Sequence, residues 1–268
     1  MSEAHLSESN RQPERSFEEK QRKYFYGFVR NYFKQYPQDH GLWEEFGLSK
    51  RHKANEAVNY DGVPRHSVTE AALADVLAEK LGVSETNRGL LKRACMLHDL
   101  YRRERGEMQE PYKAGRSAEE ELFDPNAHQG REVLRKKGIN PEVLELMEAM
   151  HSSGMTKLDF GETKDESELV KKIFWYIDSS LDNIKLIPVK QRVLKFKERE
   201  SNIDQLGMSV LKDSKGKTLG IPLFDYYAVA GEKFEKEIAS KLGLFAQQQQ
   251  DFPKTITNWL AEKIEAIK

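Results

Sequence analysis

Only one cysteine, Cys95, occurs among the 268 residues. A single thiol excludes an internal disulfide framework and a zinc site built from several cysteines. Long apolar runs are also missing. None approaches the roughly 18–20 residues that cross a bilayer, so no membrane partner is expected. The opening segment MSEAHLSESNRQPERS lacks the apolar core of a secretory signal. A reducing cytoplasm is the expected location. An excess of either charge is absent too: 43 Lys and Arg stand against 44 Asp and Glu, a net charge of −1. Bulk charge therefore points to neither nucleic acid nor a membrane surface.

Hydrophobic residues make up 38% and charged residues 32%, with 10% aromatic. That describes a folded chain with a moderate core and a charged surface, too apolar to be disordered throughout. The length suits one large helical domain, or one domain with an appendage.

Residues 1–16 are polar and are expected to form a flexible tail. Residues 17–36 place Tyr24, Phe28 and Tyr32 on one helical stripe. Basic residues between those aromatics could meet nucleic acid, but packing of the stripe on the main domain is the preferred reading. Residues 37–64 carry Pro, Gly and Asp punctuation and read as loop with short helical pieces. Helices are expected over 66–81, stopped at Gly82, and over 86–103. A charged stretch, 104–123, follows. Asp124-Pro125 opens a helix that ends near Gly138, and Asn140-Pro141 opens one running to about Ser152. Residues 166–186 read as helical after a loop. Beyond Pro188 come a charged helix at 189–200 and a hairpin or loop around Asp213–Gly216. Helices at 224–243 and 253–267 close the chain, separated by the polar tract Gln247–Gln250. The expected organisation is a tail (1–16), a helical domain with its N-terminal arm (17–187) and a helical extension (188–268).

Four of the seven histidines, His66, His98, His128 and His151, lie in or beside the central helices. His98 shares a helix side with Leu91, Ala94 and Cys95, and Asp99 sits beside it. Asp178 falls inside the apolar face made by Val170, Ile173, Phe174, Ile177, Leu181 and Ile184. His151 joins Val143, Leu144, Met147 and Met150, and His66 shares a stripe with Leu73 and Leu77. His128 lies in its helix's first turn, off the apolar stripe. One inward histidine or aspartate is ordinarily a hydrogen-bonded core residue. Several in one region are costly unless something positive satisfies them, and a divalent cation does so for carboxylates and neutral imidazoles together.

The order His66, His98-Asp99, Asp178 resembles the HD superfamily of metal-dependent phosphohydrolases. HSVTEAALADVLAEKLG resembles its first-histidine helix, LLKRACMLHDLYR its HD helix, and YIDSSLDN the helix with its last aspartate. His128 in NAHQGREVL and His151 in MEAMHSS match the two extra histidines of the binuclear subset. The resemblance covers roughly residues 60–187. It implies an all-α HD-domain bundle with extra N- and C-terminal helices. It also implies one metal on His66, His98, Asp99 and Asp178, with Asp99 bridging to a second metal on His128 and His151. Asp99 and His98 are then the catalytic pair. Iron, manganese, nickel, cobalt or zinc suits such ligands better than calcium. The implied reaction is hydrolysis of a phosphate mono- or diester, a nucleotide among the candidates, by metal-activated water. Arg102, Arg103, Lys113, Arg116 and Arg65 are the cations available for its phosphate, Arg102 nearest the motif. Leu100-Tyr101-Arg102 replaces the Gly-containing continuation common in the superfamily, and the Gly-Tyr-Pro signature of cyclic-di-GMP phosphodiesterases is lacking. Two other readings stay open: a di-iron oxygenase of the same superfamily, and a non-catalytic HD module that binds a ligand.

Overall fold

The computed structural model describes residues 11–46, 63–100, 125–150, 152–160, 162–199, 204–205, 208, 211–212, 217–245, 247–248 and 251–267, without the side chains of 11–16, 63–64, 125–130, 152–153 and 199. It is an all-α bundle carrying one two-stranded hairpin among these residues.

Helix α1 (Arg11–Gln35) stops before Pro37, which opens α2 (Pro37–Glu45) at its first turn. Proline has no N–H to continue the first helix, but it fits the start of a second. One expectation is corrected here: residues 11–16 are helical rather than part of a loose tail. Residues 37–45 form one of the short helical pieces expected within 37–64. The aromatic stripe does pack inward: Tyr32 is buried, and Tyr24 and Phe28 lie against the core. Asp39 on α2 is fully buried. Arg93 grips it through Nη2–Oδ1 at 2.7 Å and Nε–Oδ2 at 2.9 Å, and the Tyr32 hydroxyl donates to it at 2.5 Å. Removing one partner of a buried ion pair strands the other charge. Asp39→Ala is therefore expected to destabilise the fold by about 3–5 kcal/mol. Thermal denaturation checks this, and an unchanged melting temperature would contradict the pairing.

Helix α3 (Val63–Lys80) is buried from Ser67 to Ala78 and forms the centre of the bundle. Small residues (Ala71, Ala72, Ala74, Ala78) let its neighbours approach closely. It ends where Gly82 takes φ 72°, with Gly82 N–H donating to Glu79 and Val83 N–H to Ala78. That paired closure needs a left-handed residue, which glycine adopts without strain. Helix α4 (Glu85–Leu97) starts on the Ser84 side-chain cap and packs along α3. It ends at Leu97 with His98 as its C-cap, short of the expected 103; residues 101–124 lie outside the described residues.

Helices α5 (Pro125–Lys136), α6 (Pro141–Ala149) and α7 (Ser152–Met155) follow. The Asn140 cap and Pro141 start α6 as expected, but it ends at Ala149 and the chain re-enters helix at Ser152. Helix α8 (Glu166–Ser180) is capped by Asp165 and buries Ile173, Phe174, Trp175 and Ile177. It does not continue to 186. Leu181–Asp182 (β1) and Lys185–Leu186 (β2) pair antiparallel, turning through Asn183 at φ 58°. Ile184 thereby leaves the apolar face and is 38% exposed.

Helices α9 (Val189–Arg199), α10 (Leu223–Lys241) and α11 (Phe252–Glu265) end the chain. Phe234 of α10 and Phe252 of α11 meet the Tyr176 ring at 5.1 and 5.9 Å. Buried Lys172 reaches Glu168 at 3.3 Å and Glu237 of α10 at 3.6 Å. Around Asp213–Gly216 a single bridge pairs Lys212 with Thr218, and 213–216 lie outside the described residues. No helix among the described residues is long and apolar enough to cross a membrane.

Candidate metal centre

Three elements bring titratable side chains to one point. His66 and Glu70 are four residues apart on α3 and so share a face. His98 and Asp99 leave the end of α4. Asp178 comes from the last turn of α8. One ligand atom each from His66, Glu70, His98 and Asp178 lie within 4.8 Å of one another.

The two imidazoles are held alike. His98 Nδ1 lies 2.9 Å from the Cys95 carbonyl, and His66 Nδ1 lies 3.0 Å from the Asn183 carbonyl. A carbonyl can only accept, so each Nδ1 carries the proton. In its neutral form each ring would then turn an Nε2 lone pair inward. His66 Nε2 stands 3.4 Å from Asp178 Oδ1 and 4.0 Å from Asp99 Oδ2. His98 Nε2 stands 3.3 Å from Asp99 Oδ1 and 3.7 Å from Asp178 Oδ1. Both histidines thus face the same carboxylate oxygen. The left-handed turn at Asn183 is what places the carbonyl behind His66. Phe174 meets the His98 ring edge-on at 5.5 Å and closes that side.

The electrostatics follow from crowded acids in a dry place. Burial alone pulls His98 down, but Asp99, Glu70 and Asp178 outweigh it and push the imidazole up to about 10. Burial raises Glu70 to about 8 against the opposing charge of His98. For His66, burial is again outweighed, here by Asp178 and Glu70, and its pKa rises. Burial opposes ionisation of Asp178 as well, yet the hydrogen bond with His66 and the nearby positive charges of His98 and Arg192 hold it well below the usual carboxylate range. With no cation, shared protons offset the negative charge.

The residues present fit a metal. Buried His98 Nε2 and both Glu70 oxygens have no hydrogen-bond partner. A cation would satisfy these orphaned atoms, and mixed imidazole and carboxylate donors suit a first-row divalent metal.

Of the sequence candidates, His66, His98, Asp99 and Asp178 come together. His128 lies on the α5 backbone with its side chain outside the description. His151, Arg102, Arg103, Lys113 and Arg116 lie outside the described residues. Arg65 is exposed in the turn that carries His66. Glu70 was missed by sequence reasoning. Its signal was available: an acid amid Ala71, Ala72 and Leu73, one helical turn after His66. The backbone partners Cys95 and Asn183, and Arg192 on α9, had no comparable signal.

Residues 63–182 match the protein-family model described as HD domain. The match runs from the start of α3 to the end of β1, and so leaves out α1, α2 and α9–α11. No curated protein and no solved structure matches the chain.

Proposed function

Because residues 63–182 match the HD-domain model, we propose that this chain is a metal-dependent phosphohydrolase acting on a small phosphorylated molecule, a phosphate mono- or diester with nucleotides among the candidates. One observation carries the reading: two imidazole Nε2 atoms, each fixed by a carbonyl behind it, face a shared Asp178 oxygen beside Asp99. A divalent transition metal held there would make water a better nucleophile and polarise a phosphoryl oxygen.

The chain's own residues do the rest. Asn183 and Cys95 lock the tautomer and aim of His66 and His98, which keeps the donors in place without reorganisation. Asp99 and Asp178 supply negative charge that would draw a cation into a largely buried site. Phe174 and the apolar flank of α3 exclude water from the buried side. In the same proposal Asp99, His128 and His151 would be the residues that hold a second metal. Arg65, Arg102, Arg103, Lys113 and Arg116 are its candidate cations for substrate phosphate.

Metal analysis of the purified chain after exposure to manganese, iron, nickel or cobalt tests this. About two ions per chain are expected, falling toward one in His128→Ala, with phosphate release from members of a nucleotide and phosphoester panel. No bound metal and no activation would refute the reading. Bound iron with oxygen consumption and no phosphate release would replace it with the oxygenase.

A further inference from the structure

The exposure of the cluster's side chains gives the site a direction. Glu70 is 0% exposed, His98 1% and Asp99 4%, whereas His66 is 13% and Asp178 17% exposed. The first three form the floor, and the His66–Asp178 edge is the mouth. Arg192 of α9 stands at that edge. Its Nη1 donates to the backbone carbonyl of Asp178, and its guanidinium lies over the Phe196 ring at 5.1 Å. On the same helix, Lys190, Lys195 and Lys197 are each paired with a carboxylate, namely Glu232, Asp182 and Asp225. Among the described residues Arg192 has no carboxylate within ion-pair distance, although its charge reaches Asp178. It is half-buried.

A guanidinium has five N–H donors in a flat fork. Among the described residues one donor and one face are used, which sets the orientation and leaves the remaining donors uncommitted, with the charge close enough to act on Asp178. A cation already oriented and not neutralised loses little entropy when it meets an anion. We propose that Arg192, from the extension beyond the HD domain, grips the phosphate of the substrate as it enters across His66 and Asp178. The inference rests on the phosphohydrolase reading and deepens it. The extension supplies the anion-recognising residue, and the HD domain supplies the metal ligands.

Calorimetric titration of the full-length, manganese-loaded chain with inorganic phosphate tests the proposal. Arg192→Gln keeps a donor for the Asp178 carbonyl but removes the charge. It is expected to weaken phosphate binding about tenfold or more, with manganese content unchanged. Arg192→Lys keeps the charge without the fork and is expected to fall between the two. Equal phosphate affinity in wild type and Arg192→Gln overturns the proposal, as does a wild type that binds no phosphate. Loss of manganese from Arg192→Gln also overturns it, because the arginine then acts only by holding Asp178. Failure of the phosphohydrolase reading shows separately, as a wild type that takes up no metal. The titration of the metal-free chain then decides alone: a weaker Arg192→Gln upholds the anion grip, and an unchanged one overturns it.

Discussion

Asp99→Ala is expected to lower metal affinity by at least about a hundredfold, since even residues that only orient metal ligands cost 10–100-fold, and to abolish phosphate release. Helical content should stay as it is. Asp99 leaves the end of α4 after the last helical turn, so no backbone hydrogen bond of that helix depends on its side chain. Its carboxylate stands 3.3 Å from His98 Nε2 and 4.0 Å from His66 Nε2. Removing it takes away one donor and the leading charge that raises His98. His98 in the metal-free variant should therefore titrate below about 10, the value reached in the intact cluster. Circular dichroism, metal analysis and a phosphate-release assay on one preparation check all three points. A variant that binds metal and turns over like wild type would remove Asp99 from the site.

Glu70→Gln is expected to move stability and metal binding in opposite directions. The Glu70 carboxylate is fully buried and neither oxygen is hydrogen-bonded. Burial lifts its pKa from 4.5 to about 8. An acid whose folded pKa is raised loses its proton later than the unfolded chain does. The unfolded state gains from ionisation between those two values, so the metal-free fold loses stability as pH rises from 4.5 to about 8. His98 adds to the decline. Its raised pKa gives stability that is fully present below 6.5 and lost as pH climbs through about 10. Gln has a similar shape and no charge, so the variant lacks the Glu70 part of that slope. At pH 8 the metal-free variant should be the more stable of the two, because it has no buried carboxyl group whose ionisation favours the unfolded chain. Metal affinity should fall about 10–100-fold. Thermal denaturation across pH, with and without manganese, measures both. A metal-free variant that is less stable than wild type, yet holds manganese equally well, would show that Glu70 is an ordinary packing residue.

These two acids show how much of the site could be read beforehand. Asp99 and Asp178 stood out because each interrupts an apolar helical stripe, and both lie in the cluster. Glu70 obeys the same rule, since it follows His66 by one helical turn and lies next to Ala71, Ala72 and Leu73. The helix ends were harder to read. Leu181 and Ile184 continue the spacing of α8, so periodicity could not show that the helix stops at Ser180 and turns into a hairpin. The turn at Asn183 then does work that no local pattern announces, since its carbonyl holds a histidine 117 residues away.

The sequence by itself determined where the central helices begin, which face of each is apolar, and that acids and histidines sit on those faces. Side-chain spacing along one helix records such facts, because burial of a face is a property of that helix. The tertiary structure alone decided which element covers each face. It set the tautomer of both histidines, the oxygen they share, the floor and mouth of the site, and the arrival of Arg192 from outside the segment that matches the HD-domain model. Those depend on hydrogen bonds and contacts between segments far apart in the chain, and no periodicity within a segment encodes its partner.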